Sequence, residues 1–125
     1  MTRYLLDTDC SIYAMLGTHP PLGRRLSECA ADEVAISAIS FAEIVMGEGK
    51  GKPPDMPVID AFLRVVPLLS FDEGAARAYA TLPFRRRSFD RLIAAHALSI
   101  GAVVVTNNEA DFVDVPGLVV ENWTV

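Results

Sequence analysis

Asp7 ends the run RYLLDTD, where the apolar pair Leu5 and Leu6 gives way to two carboxylates and a hydroxyl. Three further acids are candidates for the same chemistry. Glu43 stands in SFAEIVMG, Asp90 opens FDRLIAAHAL, and Asp111 lies in TNNEADF, where Asn108 and Glu109 compete for its role. Each also has a structural reading. Asp7, or equally Asp9, suits the N-cap of a following helix. Ser40 and Glu43 have the S-x-x-E spacing of a capping box, and Ser70–Glu73 repeats it in SFDE. Asp90 would favour the positive end of a helix dipole by about 0.3–1 kcal/mol, and Asp111 fits a polar loop or a one-turn helix. If the fold gathers all four, mutual repulsion raises at least one pKa unless a cation intervenes. Oxygen donors without Cys or His point to Mg2+ or Mn2+ rather than Zn2+. Mg2+ typically takes one or two carboxylates and keeps several waters, so some of the four acids would act through water.

The elements that must position these acids alternate between strand-length apolar runs and helical periods. Arg3–Leu6 predicts a first strand, followed by a short helix through CSIYAMLG that stops at Gly17. PPLGRRLSECA places Leu22, Leu26, Cys29 and Ala30 on one helical face, with Pro21 suited to a first turn. EVAIS predicts a strand, SFAEIVMGEG a helix closed by Gly47 or Gly49, and GKGKPPD a loop. A helix through VIDAFLRVV, a strand PLLSF and a helix DEGAARAYATL follow. FDRLIAAHALSI is an apolar helix closed by Gly101, AVVVTN a buried strand, and GLVVENW a final strand.

Such alternation predicts a single domain over residues 1–125, a mostly parallel sheet covered by helices on both faces. Right-handed crossovers would bring every strand's C-terminal end to one edge, where open α/β sheets carry their chemistry. Asp7 falls on that edge at the end of the first strand, and Glu43 follows the second strand. Asp90 starts the helix leading into AVVV, and Asp111 follows that strand.

Composition narrows the function classes. Hydrophobic residues make up 51% and charged residues 22% of 125 residues, which excludes disorder. The longest apolar stretch, Leu92–Val105, is broken by His96, Ser99 and Gly101 and is too short to span a bilayer, so a cytoplasmic protein without membrane contact is expected. Cys10 and Cys29 form no C-x-x-C pair and read as reduced thiols. A net charge of −5 argues against gripping nucleic acid by bulk positive charge. Yet nine of the eleven basic residues are Arg, and Arg85, Arg86, Arg87 and Arg91 crowd into RRRSFDR. That cluster is either a solvated face or a phosphate-binding patch. Arg24 and Arg25 form a second pair. His96 projects away from the Asp90 face at helical spacing and reads as a packed or surface histidine. GEGKGK lacks the strand and hydroxyl of a phosphate-binding loop.

YLLDTD, ISAISFAEIVMG, FDRLIAAHALSIGAVVVTNNEADF and VPGLVVENW, in that order over nearly the whole chain, resemble the PIN-domain ribonucleases, and among them the VapC toxins of bacterial toxin–antitoxin pairs. The resemblance implies a three-layer α/β/α sandwich with a mostly parallel central sheet. It also implies Mg2+- or Mn2+-dependent endoribonuclease activity leaving a 5′-phosphate and a 3′-hydroxyl. A cognate VapB-type antitoxin and a homodimer are further implications. The family's acids fall on Asp7, Glu43, Asp90 and Asp111, with Thr106 and Asn108 in the last loop. Asp7, Asp90 and Asp111 are then the expected metal ligands, Glu43 positions metal or water, and Arg85, Arg86, Arg87 and Arg91 are RNA-binding candidates. Asp9 stands where the family commonly has Asn; it either binds metal or takes over that amide's turn role. Ile12, Tyr13 and Leu16 are candidates for the antitoxin contact. Two other readings compete: a receiver-like Mg2+ signalling module, which needs a late-strand lysine that this chain lacks, and a silent binding module whose acids only cap helices.

Overall fold

The computed structural model describes residues 1–83 and 88–125. Its centre is a five-stranded, all-parallel sheet of order β3-β2-β1-β4-β5. The strands are short: β1 Tyr4–Leu6, β2 Val34–Ser37, β3 Leu68–Leu69, β4 Val103–Val105 and β5 Val120–Glu121. The helices are α1 Thr8–Leu16, α2 Pro20–Glu28, α3 Ala38–Gly49, α4 Met56–Leu63, α5 Glu73–Ala80 and α6 Phe89–Ile100, with a 3-10 turn at Glu109–Phe112. No helix among the described residues is long and apolar enough to cross a membrane.

Side-chain alternation along the strands builds two cores, one on each face of the sheet. Leu5, Ala35 and Val104 point to one face and meet Ile93, Ala94 and Ala97 of α6, with Phe112 and Val115. Leu6, Val34, Ile36 and Val105 point to the other and meet Cys10 of α1, Leu22 of α2, Val66 and Trp123. Strands buried on both faces read as continuous apolar runs, which is why Leu5–Leu6 of β1 and the AVVV run of β4 carry no polar residue. Gly17 and Gly101, both at φ 67°, end α1 and α6 in the left-handed conformation that costs glycine nothing.

The chain runs outward from β1 through β2 to β3, then returns to β4 on the opposite side of β1. The sheet order therefore reverses between β1 and β4. At such a reversal the connections diverge and leave a crevice beyond the strands' carboxyl ends. Asp7 ends β1 and Thr106 ends β4, so both stand at this crevice.

The predicted elements are all present, with shifted ends. PLLSF pairs only through Leu68 and Leu69. The capping-box readings are corrected. α3 starts a turn earlier than Ser40, because Ser37 at the end of β2 is its N-cap and accepts the Ile39 amide at 3.1 Å. Ser40 lies inside that helix, buried, its hydroxyl without a partner among the described residues. In SFDE the cap is Asp72, which accepts the Ala75 amide at 3.0 Å, while Glu73 pairs with Arg77 at 2.6 Å. Neither glutamate bonds back to a serine amide.

Candidate active site

Asp7 is 5% exposed, and both of its carboxylate oxygens are engaged. Oδ1 accepts the Cys10 amide at 2.8 Å, which caps α1, and Oδ2 accepts the Thr106 hydroxyl. The two readings of Asp7 thus coexist: one oxygen caps the helix and the other faces the crevice between β1 and β4. Burial raises its pKa, the hydrogen bonds from Thr106 and Cys10 oppose that rise, and the charge of Asp9 adds to it.

Glu43, in the second turn of α3, is half-buried. It accepts the Thr8 hydroxyl at 2.5 Å, across 35 residues of sequence. Its pKa is raised by burial, with Asp9 and Asp7 contributing repulsion and Thr8 opposing them. Thr8 was not among the residues singled out from sequence. The available signal was its place between two acids in DTD, where α1 turns a side chain toward the same edge.

Asp90 occupies the first turn of α6, behind the N-cap Ser88. Its pKa is pushed up to about 7, first by burial, then by a hydrogen bond and repulsion from Asp111, then by repulsion from Asp7 and Glu43. The neutral form of Asp90 is favoured because it donates a proton to Asp111 instead of opposing it. Asp111 lies exposed on the 3-10 turn, held by the Asn108 side-chain amide at 2.5 Å. The Asn108 backbone amide in turn donates to Thr106 Oγ1 at 3.0 Å. Thr106 and Asn108 therefore form a chain of hydrogen bonds linking Asp7 to Asp111. Asp9 is exposed in the first turn of α1 and reaches Asp7 and Glu43 through its charge.

The four acids come from four separate parts of the chain, and the other three all raise the pKa of Asp90. Among the described residues no three His, Cys, Asp or Glu side chains converge tightly enough to make a ready-made metal cage. The donor chemistry nonetheless fits a hard dication. Every candidate ligand is oxygen, and Asp90 and Asp111 lie within hydrogen-bond range of each other, where a cation would relieve their repulsion. An ion retaining several waters needs only one or two direct carboxylates.

Arg91 is corrected as an RNA contact. It is 5% exposed, and its guanidinium donates to both carboxylate oxygens of Asp114 at 3.0 Å and to the Pro83 carbonyl at 2.6 Å. Its donors are committed inside the fold, tying the start of α6 to the segment after the 3-10 turn. Arg85, Arg86 and Arg87 lie outside the described residues. His96 is buried, with Nδ1 at 2.7 Å from Ser37 Oγ and its ring edge-on to Phe71. It packs α6 against β2, as a packed histidine would, and burial lowers its pKa.

Comparison with known proteins places this geometry. The PIN-domain pattern matches residues 4–118. Among curated relatives, a tRNA(fMet)-specific endonuclease VapC of Shigella flexneri is 31% identical over 133 residues, covering 99% of this chain and 100% of the relative. Ribonuclease VapC2 of Rickettsia felis is 32% identical over 131 residues, covering 96% and 97%. Among solved structures, VapBC2 from Rickettsia felis bound to a DNA fragment from its promoter superposes with a TM-score of 0.85 at 30% identity, covering 98% of this chain and 99% of the other. DNA-bound VapBC from Salmonella typhimurium superposes at 0.87 with 28% identity, covering 98% and 99%.

Proposed function

The chain belongs to the PIN-domain family, and on that premise we propose that it is a metal-dependent endoribonuclease, the toxin of a toxin–antitoxin pair, hydrolysing RNA phosphodiester bonds at the crevice between β1 and β4. The observation that carries the reading is the convergence of Asp7, Glu43 and Asp111, drawn from distant sequence, on Asp90 at the carboxyl edge of the sheet, close enough for each to raise its pKa. Acids that only cap helices have no reason to repel one another at a sheet edge, which disfavours the silent-module reading. The receiver-like reading fails on the family match and on the positions of Lys50 and Lys52, which lie in and beside the turn after α3.

Asp7, Asp90 and Asp111 would hold the dication, directly or through water. When bound, Mg2+ or Mn2+ supplies an acidified water and neutralises charge developing on the phosphate. The chain does the positioning. Thr106 fixes Asp7 from one side while the α1 amide of Cys10 fixes it from the other. Thr8 holds Glu43 in one rotamer and favours its ionised form, ready to accept a proton from the attacking water. Asn108 fixes Asp111 on the opposite wall. Low exposure at Asp7 keeps these charges poorly screened, so their pull on the ion is strong.

A VapB-type antitoxin is the partner that this reading supplies, and a homodimer the expected assembly of the toxin. Leu16, 42% exposed, with half-buried Ile12 and Tyr13, is the proposed antitoxin contact on α1. Hydrogen exchange on the complex should show protection there, and unchanged exchange would discard the contact.

Cleavage of an RNA panel that includes tRNA(fMet), with Mg2+, Mn2+ or chelator, tests the function. Wild-type protein should cut at defined positions only with metal, leaving 5′-phosphate ends. Asp7→Asn should abolish cutting while keeping the fold, since Asn caps a helix as well as Asp does. Full cleavage in chelator, or by the Asp7→Asn protein, would overturn the assignment.

A further inference from the structure

Beside the acids lies an aromatic pair that the proposed chemistry does not use. Tyr13 and His19 stack with ring centroids 3.9 Å apart and planes at 26°. Tyr13 stands about 9 Å along α1 from Asp7. Helical side chains lean toward the helix N-terminus, here toward the acids. Its hydroxyl accordingly accepts from the Asn107 side-chain amide at 3.2 Å. Asn107 is exposed and sits between Thr106 and Asn108, the residues that hold Asp7 and Asp111. The stack is therefore bonded to the same loop as the catalytic carboxylates.

His19 is placed unusually for its role in the backbone. It occupies the N-cap position of α2, yet its side chain caps nothing. The ring lies on Tyr13, and Thr18 Oγ1 meets its Nδ1 at 2.8 Å, which fixes the plane. One face is covered by Tyr13, and the residue is half-buried, not closed off. On the next turn of α2, Arg24 is exposed and makes no ion pair among the described residues. An oriented aromatic pair bonded to the loop that holds the acids can stack a base, and an exposed arginine on α2 can meet a strand's backbone, the two parts of a single-strand binding surface.

We propose that the Tyr13–His19 stack is a nucleobase platform, on which the open face of His19 receives a base of the RNA strand flanking the phosphate held at the acids. This deepens the nuclease reading and rests on it. The platform is tolerant of base identity, because every base offers a π-face, so it sets where the strand lies rather than which sequence is cut. An antitoxin segment covering Tyr13 would close the platform as well as the acids.

The test uses the whole protein in chelator, so that binding is read without cleavage. Fluorescence anisotropy follows a labelled 12-nucleotide single-stranded RNA, and a set of the same strand with one abasic position moved along it. His19→Ala should raise Kd about five- to ten-fold, the loss of one stacked base, and His19→Phe should restore wild-type binding. The His19→Ala penalty should vanish for the oligonucleotide whose abasic site falls at the platform, as it must when both partners of one contact are removed. Equal penalties for every abasic position, or none for any, would overturn the platform while cleavage by the wild type leaves the nuclease reading standing. His19→Phe binding as weakly as His19→Ala would also overturn it. A wild-type protein that neither binds nor cuts RNA would remove both.

Discussion

Replacing Asp90 by Asn should make the metal-free protein more stable and the metal-bound protein less so. In the unfolded chain the Asp90 carboxyl returns to the ordinary value near 3.8, whereas folding pushes it up to about 7. The folded state thus binds that proton more tightly, so wild-type stability falls as pH rises from about 4 to about 7. Retained in full, this difference corresponds to about 4 kcal/mol. The side chain is half-exposed, and water screens the repulsion, which brings the expected penalty to about 1–2 kcal/mol at pH 8. Asn is neutral, nearly isosteric, and can still donate to Asp111 as the protonated acid does. Urea unfolding in chelator should therefore show Asp90→Asn gaining about 1–2 kcal/mol at pH 8, less at pH 5 and nothing near pH 4. Saturating Mn2+ should reverse the order. Wild type gains about 2.7 kcal/mol at one hundred times its Kd, and the variant, short of one ligand, gains much less. An Asn variant no more stable than wild type at pH 8 in chelator would refute the reasoning, as would a gain that does not change with pH.

Other perturbations separate positioning from packing. Thr8→Val should cost less than about 1 kcal/mol in stability but 10- to 100-fold in RNA cleavage, the usual consequence of losing a group that orients a metal-site residue; Thr8→Ser should recover most of it. Arg91→Lys should keep the charge but lose the fork onto Asp114 and the Pro83 carbonyl, and thermal unfolding should report about 1–3 kcal/mol of lost stability. His96, its pKa lowered by burial, binds its proton less tightly than in the unfolded chain, so its contribution to stability is lost as pH falls below about 6.5. NMR titration should find the ring neutral at pH 6.5, and a protonated ring there would contradict the packing.

Residue order and type were enough to place the elements and the sheet edge to which the acids are sent. The β-branched run AVVV between Gly101 and a polar loop reads as a strand buried on both faces, Gly17 and Gly101 can end helices at a left-handed step, and parallel crossovers send Asp7 and Asp111 to the same side. Those are consequences of local period and chain handedness, and they survive without knowing any contact. Packing settled whatever depends on where a side chain points across long sequence separations. It gave the cap of α3 to Ser37 rather than Ser40, because β2 ends one turn earlier than the S-x-x-E spacing suggests. It turned Arg91 inward to Asp114, since an arginine on an otherwise apolar helix face must find a partner or leave the core. It also set Thr8 against Glu43, and Thr106 against Asp7 from 99 residues away. Spacing along a chain fixes which residues share an element, but only packing fixes which oxygens meet, and the chemistry proposed here is made of such meetings.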